Sequence, residues 1–283
     1  MVKQIISASR RSDLPAFYWS WVKKGVIRGH VEVEHPFTKL TRKVQLNPEL
    51  VAGFVFWSKN YIKFLKDYDF LEIYREPGKP LPIFFQFTIN SHIELLEPHH
   101  SSTLDERIDQ ARELIEITSP DALSWRFDPI VHWQEDEGIK NNLKHFDEIA
   151  LNLADAGVNR CTFSFATLYY KIIQRVKKKG IKFIQPNLHL KKNIVKQLRE
   201  ITKPLGIQLY ICCQPDLYKM EGIRQSHCID GNLLAGIWRV SNVTRAKERG
   251  QRESCGCTKS IDIGSYSIHG CKHSCLYCYA SPE

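Results

Sequence analysis

Short apolar runs and amphipathic stripes alternate along most of the chain. Six runs rich in β-branched and aromatic residues, at 4–8, 53–57, 82–87, 122–127, 160–165 and 207–212, read as strands. Runs of this kind suit a parallel sheet covered on both faces. Helical stripes lie between them. Leu104, Ile108, Ala111 and Ile115 recur at spacings of four, three and four, with Ser102 or Thr103 placed to cap the helix. Leu143, Phe146, Ala150 and Leu153 form a second stripe, closed by Gly157; Ile194, Leu198 and Ile201 form a third, ended by Pro204 and Gly206. Strand and helix alternating at this rhythm predict right-handed βαβ units.

The polar residues fall where each predicted strand ends. The first runs into Ser9, Arg10, Arg11 and Asp13, and the second into Ser58, Lys59 and Asn60. The third carries Gln86, Thr88 and Asn90, the fourth Arg126 and Asp128, the fifth Ser164 and Thr167, the sixth Cys213, Gln214 and Asp216. In a parallel barrel these ends converge on one mouth, where barrel enzymes do their chemistry. The expectation is an α/β fold with a parallel barrel over residues 1–216. A connecting segment with extra cysteines at 217–260 and a C-terminal cysteine loop at 261–283 follow it.

With 283 residues, 43% hydrophobic and 25% charged, the composition is that of a globular protein and excludes disorder or a fibre. No apolar run reaches the roughly 18 residues of a membrane span. The first residues lack the apolar core and cleavage site of a secretory signal. Nine cysteines is an odd count, and five of them (Cys255, Cys257, Cys271, Cys275, Cys278) crowd the end of the chain. That pattern favours a cytoplasmic protein using thiols for metal or redox chemistry over a secreted disulfide scaffold. The net charge is +9, and residues 167–199 hold ten Lys or Arg and no acid, so the remainder is close to neutral. Such a stretch is either a solvated helix face or a patch for an anionic partner such as nucleic acid.

The C-terminal segment spaces its thiols Cys271-x3-Cys275-x2-Cys278, with Tyr277 before the last. Three soft thiolates in eight residues can wrap one corner of an iron–sulfur cluster and leave one iron open. A zinc knob drawn from Cys255, Cys257, Cys271, Cys275 and Cys278 is the alternative, although only Cys275 and Cys278 have the spacing of a zinc knuckle. Cys255 and Cys257 point to one side of an extended chain. With Cys228 and either Cys212 or Cys213 they complete a possible second four-thiolate site; alternatively Cys161, Cys212 and Cys213 are small strand hydrophobes. His269 and His273 flank the motif and read as loop histidines.

Cys271-x3-Cys275-x-Tyr277-Cys278 resembles the cluster motif of the radical S-adenosylmethionine (SAM) enzymes. That resemblance implies a partial (β/α)6-type parallel barrel, a [4Fe-4S] cluster held by Cys271, Cys275 and Cys278, SAM on the remaining iron, and an electron donor such as flavodoxin or ferredoxin. The chain as a whole is similar to the domain-of-unknown-function 1848 family. The similarity lies in Ser9-Arg10-Arg11-Ser12-Asp13-Leu14-Pro15, Phe56-Trp57-Ser58-Lys59-Asn60, Phe85-Gln86-Phe87-Thr88, Trp125-Arg126-Phe127-Asp128-Pro129, Cys228-Ile229-Asp230-Gly231, Glu253-Ser254-Cys255-Gly256-Cys257 and Ile261-Asp262-Ile263-Gly264. The motif stands at the end of this chain rather than after the first strand, and no Gly-Gly pair marks a strand for the SAM amino group.

The function expected is thus reductive SAM cleavage and hydrogen abstraction from an unknown substrate. Arg10, Arg11, Lys59 and Arg126 would pair with the SAM carboxylate or an anionic substrate, and Asp128 with a ribose hydroxyl. For Arg126 and Asp128 a mutual salt bridge is the competing expectation. A radical enzyme acting on nucleic acid, and a non-catalytic iron–sulfur or zinc protein that binds nucleic acid, are the alternative functions.

Overall fold

The structure, a computed structural model, describes residues 2–35, 38–99, 102–249 and 251–280; positions 281–283 of the expected C-terminal loop lie outside them. Its main sheet has eight strands: β1 (Gln4–Ala8), β2 (Val51–Ser58), β3 (Ile83–Thr88), β4 (Leu123–Ile130), β5 (Arg160–Phe165), β6 (Gln208–Ile211), β7 (Ile223–Gln225) and β8 (Ile261–Asp262). Their order across the sheet is β7-β6-β5-β4-β3-β2-β1-β8, and every neighbouring pair is parallel. The six strands expected from the sequence are the six central ones. The sheet is open, its edges formed by β7 and β8, whose three and two residues are too few to show a period.

Side-chain alternation sorts the sheet into two faces. Ile6, Phe54, Phe56, Phe85, Phe87, Trp125, Phe127 and Phe163 belong to the main core. They share it with α2 (Trp19–Arg28), α3 (Ile62–Lys66), α4 (Leu104–Ile117), α5 (Phe146–Asp155) and α7 (Leu188–Thr202). Thr103 caps α4 in a reciprocal capping box with Glu106. On the opposite face Ile5, Val55 and Phe84 pack with Leu234, Ala235 and Trp238 of α8 (Gly231–Trp238).

Further along the strands that second face becomes polar. Ser7, Trp57, Gln86, Ser124, Arg126 and Thr162 occupy it in register, with Trp57 opposite Gln86, Gln86 opposite Ser124, and Arg126 opposite Thr162. Ser124 and Thr162 hydrogen-bond at 3.1 Å, and Trp57 Nε1 donates to Ser7 Oγ at 3.1 Å. A half-apolar, half-polar face places an apolar floor beneath a buried polar layer.

A third, smaller core sits at the strands' C-terminal ends. There α6 (Tyr170–Lys178) and a three-stranded sheet (Lys182–Ile184, His132–Glu135, Gly138–Asn141) bring Ile172, Val176, Phe183, Val131 and Trp133 against Cys275, Leu276 and Tyr277. The cysteine loop is thus packed into the body of the protein. Among the described residues no helix is long and apolar enough to cross a membrane.

Candidate functional site

The C-terminal ends of the strands open into a cavity of about 470 Å³, within the range of small-molecule sites. Cys271, Cys275 and Cys278 line it, as do Cys212, Cys213, Cys228, Cys255 and Cys257. Eight of the nine cysteines therefore share one space. The ninth, Cys161, faces the main core and is fully buried, and desolvation pushes its thiol up.

The motif loop is held from several sides. Leu276 N–H donates to Leu96 O at 2.9 Å, and Arg175 of α6 donates to the carbonyls of Leu276 (3.1 Å) and Cys278 (2.7 Å). Tyr277, the aromatic residue of the motif, donates its hydroxyl to Glu97 and accepts from Asn90 Nδ2 at 3.0 Å. Glu97, only 3% exposed, also binds Lys59 Nζ at 2.9 and 3.0 Å and Asn90 at 2.9 Å. Burial works against the Lys59 ammonium, yet Glu97 and then Cys275 hold its pKa above the ordinary value.

Asp13 fastens the start of the loop to the sheet. Its Oδ1 accepts from Ala16 N at 3.0 Å, which caps α1 (Leu14–Phe17), and from Ser58 Oγ at 2.6 Å. Its Oδ2 accepts from Lys59 N and meets His273 Nε2, each at 2.8 Å. His269 packs against Trp21 and Tyr18.

Burial pushes the Cys271 thiol up to about 12, and Cys275 and Cys278 are also raised by burial. Lys59 opposes this at Cys275; Arg175, Lys59 and Lys171 oppose it at Cys278. These cations favour the thiolate and partly offset the effect of burial.

The other five cysteines form a ring of thiol contacts. Cys212 Sγ lies 3.6 Å from Cys228 Sγ, Cys228 meets Cys257, Cys257 meets Cys255, Cys255 meets Cys213, and Cys213 meets Cys212. Three chain segments supply them: the end of β6, the turn after β7, and the 255–257 loop. Cys213 sits in the left-handed region at φ 50°, which turns consecutive thiols toward one another. Hydrogen bonds from Cys212 and Cys255 hold Cys213 down at about 3, and those from Cys212 and Cys257 hold Cys228 well below its ordinary value. The donors Cys212 and Cys257 are correspondingly raised. Arg252 and Arg126 add to the depression at Cys213 and Cys228 respectively. As they stand, no three His, Cys, Asp or Glu side chains among the described residues are arranged to hold a metal ion.

The strand-end cations expected from the sequence all line this cavity, but they are committed to different degrees. Arg126 contacts Asp128, bonds Gln86 Oε1 at 3.1 Å and Cys228 Sγ at 3.3 Å, and lies over the Trp57 ring. Asp128 also accepts from Ser164. The competing expectation, the mutual salt bridge, is the arrangement present. Lys59 is taken by Glu97. Arg10 bonds Ser260 at 3.0 Å and faces Asp262 and Glu248 at 3.7 and 3.9 Å. Arg11 donates to Gly264 O at 3.1 Å and forms no ion pair among the described residues.

Sequence reasoning did not single out Glu97, Asp262, Arg175 or Arg252. Asp262 accepts from Ser7, Ser9, Arg10 N and Gly264 N, joining β8 to β1. Its only sequence signal was the Ile-Asp-Ile-Gly stretch. Glu97 lies in a loop with no pattern at all.

The family model described as domain of unknown function (DUF1848) matches residues 5–280. No curated protein matches the chain.

Proposed function

For a chain that belongs to the DUF1848 family, whose description carries no activity, we propose from the site itself an iron–sulfur enzyme of radical-SAM type. The observation that carries this reading is that Cys271, Cys275 and Cys278 line a ligand-sized cavity at the C-terminal ends of parallel strands. Three soft thiols, with Lys59 and Arg175 beside them to offset negative charge, fit a [4Fe-4S] cluster as a donor set. When bound, such a cluster supplies the electron that cleaves SAM to methionine and a 5′-deoxyadenosyl radical.

The rest is the work of this chain's own groups. Glu97, Asn90 and Tyr277 hold the loop, and the Asp13–His273 contact ties it to β1 and β2. Arg11, with no carboxylate on it among the described residues, is the cation placed to take an anionic group of a ligand. The apolar floor beneath the cavity excludes water from one side. Strands β1 to β7, ordered along the sheet as they are along the chain and joined largely through helices, suit a barrel left open.

The test is anaerobic reconstitution with iron and sulfide, followed by reduction in the presence of SAM. We expect a brown chromophore, a low-temperature EPR signal on reduction, and 5′-deoxyadenosine. All three disappear in C271A/C275A/C278A. A triple variant that keeps its sulfide-bearing iron and its product removes the motif from the assignment.

A further inference from the structure

We infer that the five-thiol ring opposite the motif is a second metal site, one that takes a single tetrahedral thiophilic divalent cation through Cys212, Cys228, Cys255 and Cys257. Thiols gather this closely for a reason that core packing does not supply. Free cysteine in a core is surrounded by hydrocarbon, as Cys161 is; here three segments distant in sequence turn their sulfurs toward one another instead.

The spacing selects the guest. A tetrahedral ion with metal–sulfur bonds of about 2.3 Å has sulfur–sulfur edges of about 3.8 Å by geometry. Cys212 and Cys228 stand at 3.6 Å. A four-iron cube keeps its thiolates a cluster's width apart. Small side-chain rotations would bring the four sulfurs around an ion.

The ligand choice follows from the chain. Cys255 and Cys257 are one residue apart and present their thiols together. Cys228 and Cys212 come singly from the sheet edge. Cys212 and Cys213 are consecutive, so one ion takes a single thiol from the pair; Cys212, 3.6 Å from Cys228 Sγ, is that ligand, and Cys213 is the thiol left over. Four thiolates on a divalent cation carry two net negative charges. Arg126, donating to Cys228 Sγ at 3.3 Å, and Arg252 beside Cys213 supply the outer-shell compensation that such a site needs.

The experiment uses the full chain carrying C271A/C275A/C278A, so that it reads the ring whatever the fate of the proposed iron–sulfur function. Zinc is titrated with a competing chelator, then cobalt is substituted, and alkylation of each cysteine is followed by mass spectrometry. We expect one equivalent of zinc and intense visible cobalt–thiolate bands. Metal should protect Cys212, Cys228, Cys255 and Cys257 from alkylation while Cys213 stays reactive. Cys213→Ser should keep the equivalent, and Cys228→Ser should lose it. Failure to take up zinc, protection of a different set, or iron bound with acid-labile sulfide in the triple variant overturns the proposal. The alkylation pattern is read without altering the ring, so the outcome does not depend on whether Cys228→Ser folds.

Discussion

Arg126 and Arg11 line the same cavity, yet the surroundings give them opposite duties. The Arg126 side chain is 7% exposed and holds Asp128, Gln86 and Cys228 at once. Removing one partner of a buried ion pair leaves the other charge uncompensated, typically at about 3–5 kcal/mol. Arg126→Gln should therefore lower stability by roughly that amount, read by urea denaturation. Among the described residues the Arg11 side chain makes one hydrogen bond, to Gly264 O, worth about 1 kcal/mol. Arg11→Gln should leave the denaturation midpoint nearly unchanged while weakening SAM binding by isothermal titration. Equal stability losses in the two variants would contradict this division. Residue type alone made these two arginines look equivalent; their environments separate them.

At the scale of elements, α8 is the piece that closes the second face of the sheet, and it does so by close approach. A methyl group on Gly53 of β2 would stand 2.4 Å from Pro82 O and 2.8 Å from the Trp238 ring. Trp238 also donates its indole N–H to Ile83 O at 3.1 Å, so the ring is not free to give way. Gly53→Ala should destabilise by roughly 1–3 kcal/mol through overpacking. Gly236 on α8 itself is exposed with open space around it; Gly236→Ala should stabilise by about 0.5–1 kcal/mol. Thermal or urea unfolding of the two variants measures both, and a neutral Gly53→Ala would mean that α8 sits further from the sheet. The periodic helices α4, α5 and α7 were legible because one stripe of each faces one core. The α8 approach was not, because Gly53 and Trp238 are 185 positions apart and carry no mutual signal.

For the whole molecule, the excess positive charge resides on α6, α7 and the residues between them. Only part of it turns inward: Arg175 serves the motif loop, while Lys177, Lys178 and Lys179 are exposed and Tyr170 is 77% exposed. An exposed aromatic on the helix that leads into clustered lysines would suit single-stranded nucleic acid, the alternative function raised by the sequence. Changing Lys177, Lys178 and Lys179 together to Glu should then weaken oligonucleotide binding and flatten its dependence on salt, because fewer counterions are released. No binding by the unaltered protein at low ionic strength would leave a small molecule as the substrate class.

The amino-acid sequence by itself determined the six central strands, the three periodic helices, the clustering of polar groups at the strand ends, and the grouping of the three motif cysteines in one loop. Each of these is a short-range pattern, set by the period of a strand or helix or by spacing within a few residues. Only the tertiary structure decided that the sheet has eight strands, that both cysteine groups open on one cavity, and that both Cys212 and Cys213 join the ring. It alone paired Lys59 with Glu97 and Arg126 with Cys228, and it decided between the two readings of Arg126 and Asp128 in favour of their mutual salt bridge. The Lys59–Glu97 and Arg126–Cys228 pairings join residues 38 and 102 positions apart. Nothing local in a chain specifies which distant partner will neutralise a buried charge. That choice is made when the strands align and the alternatives are excluded by packing.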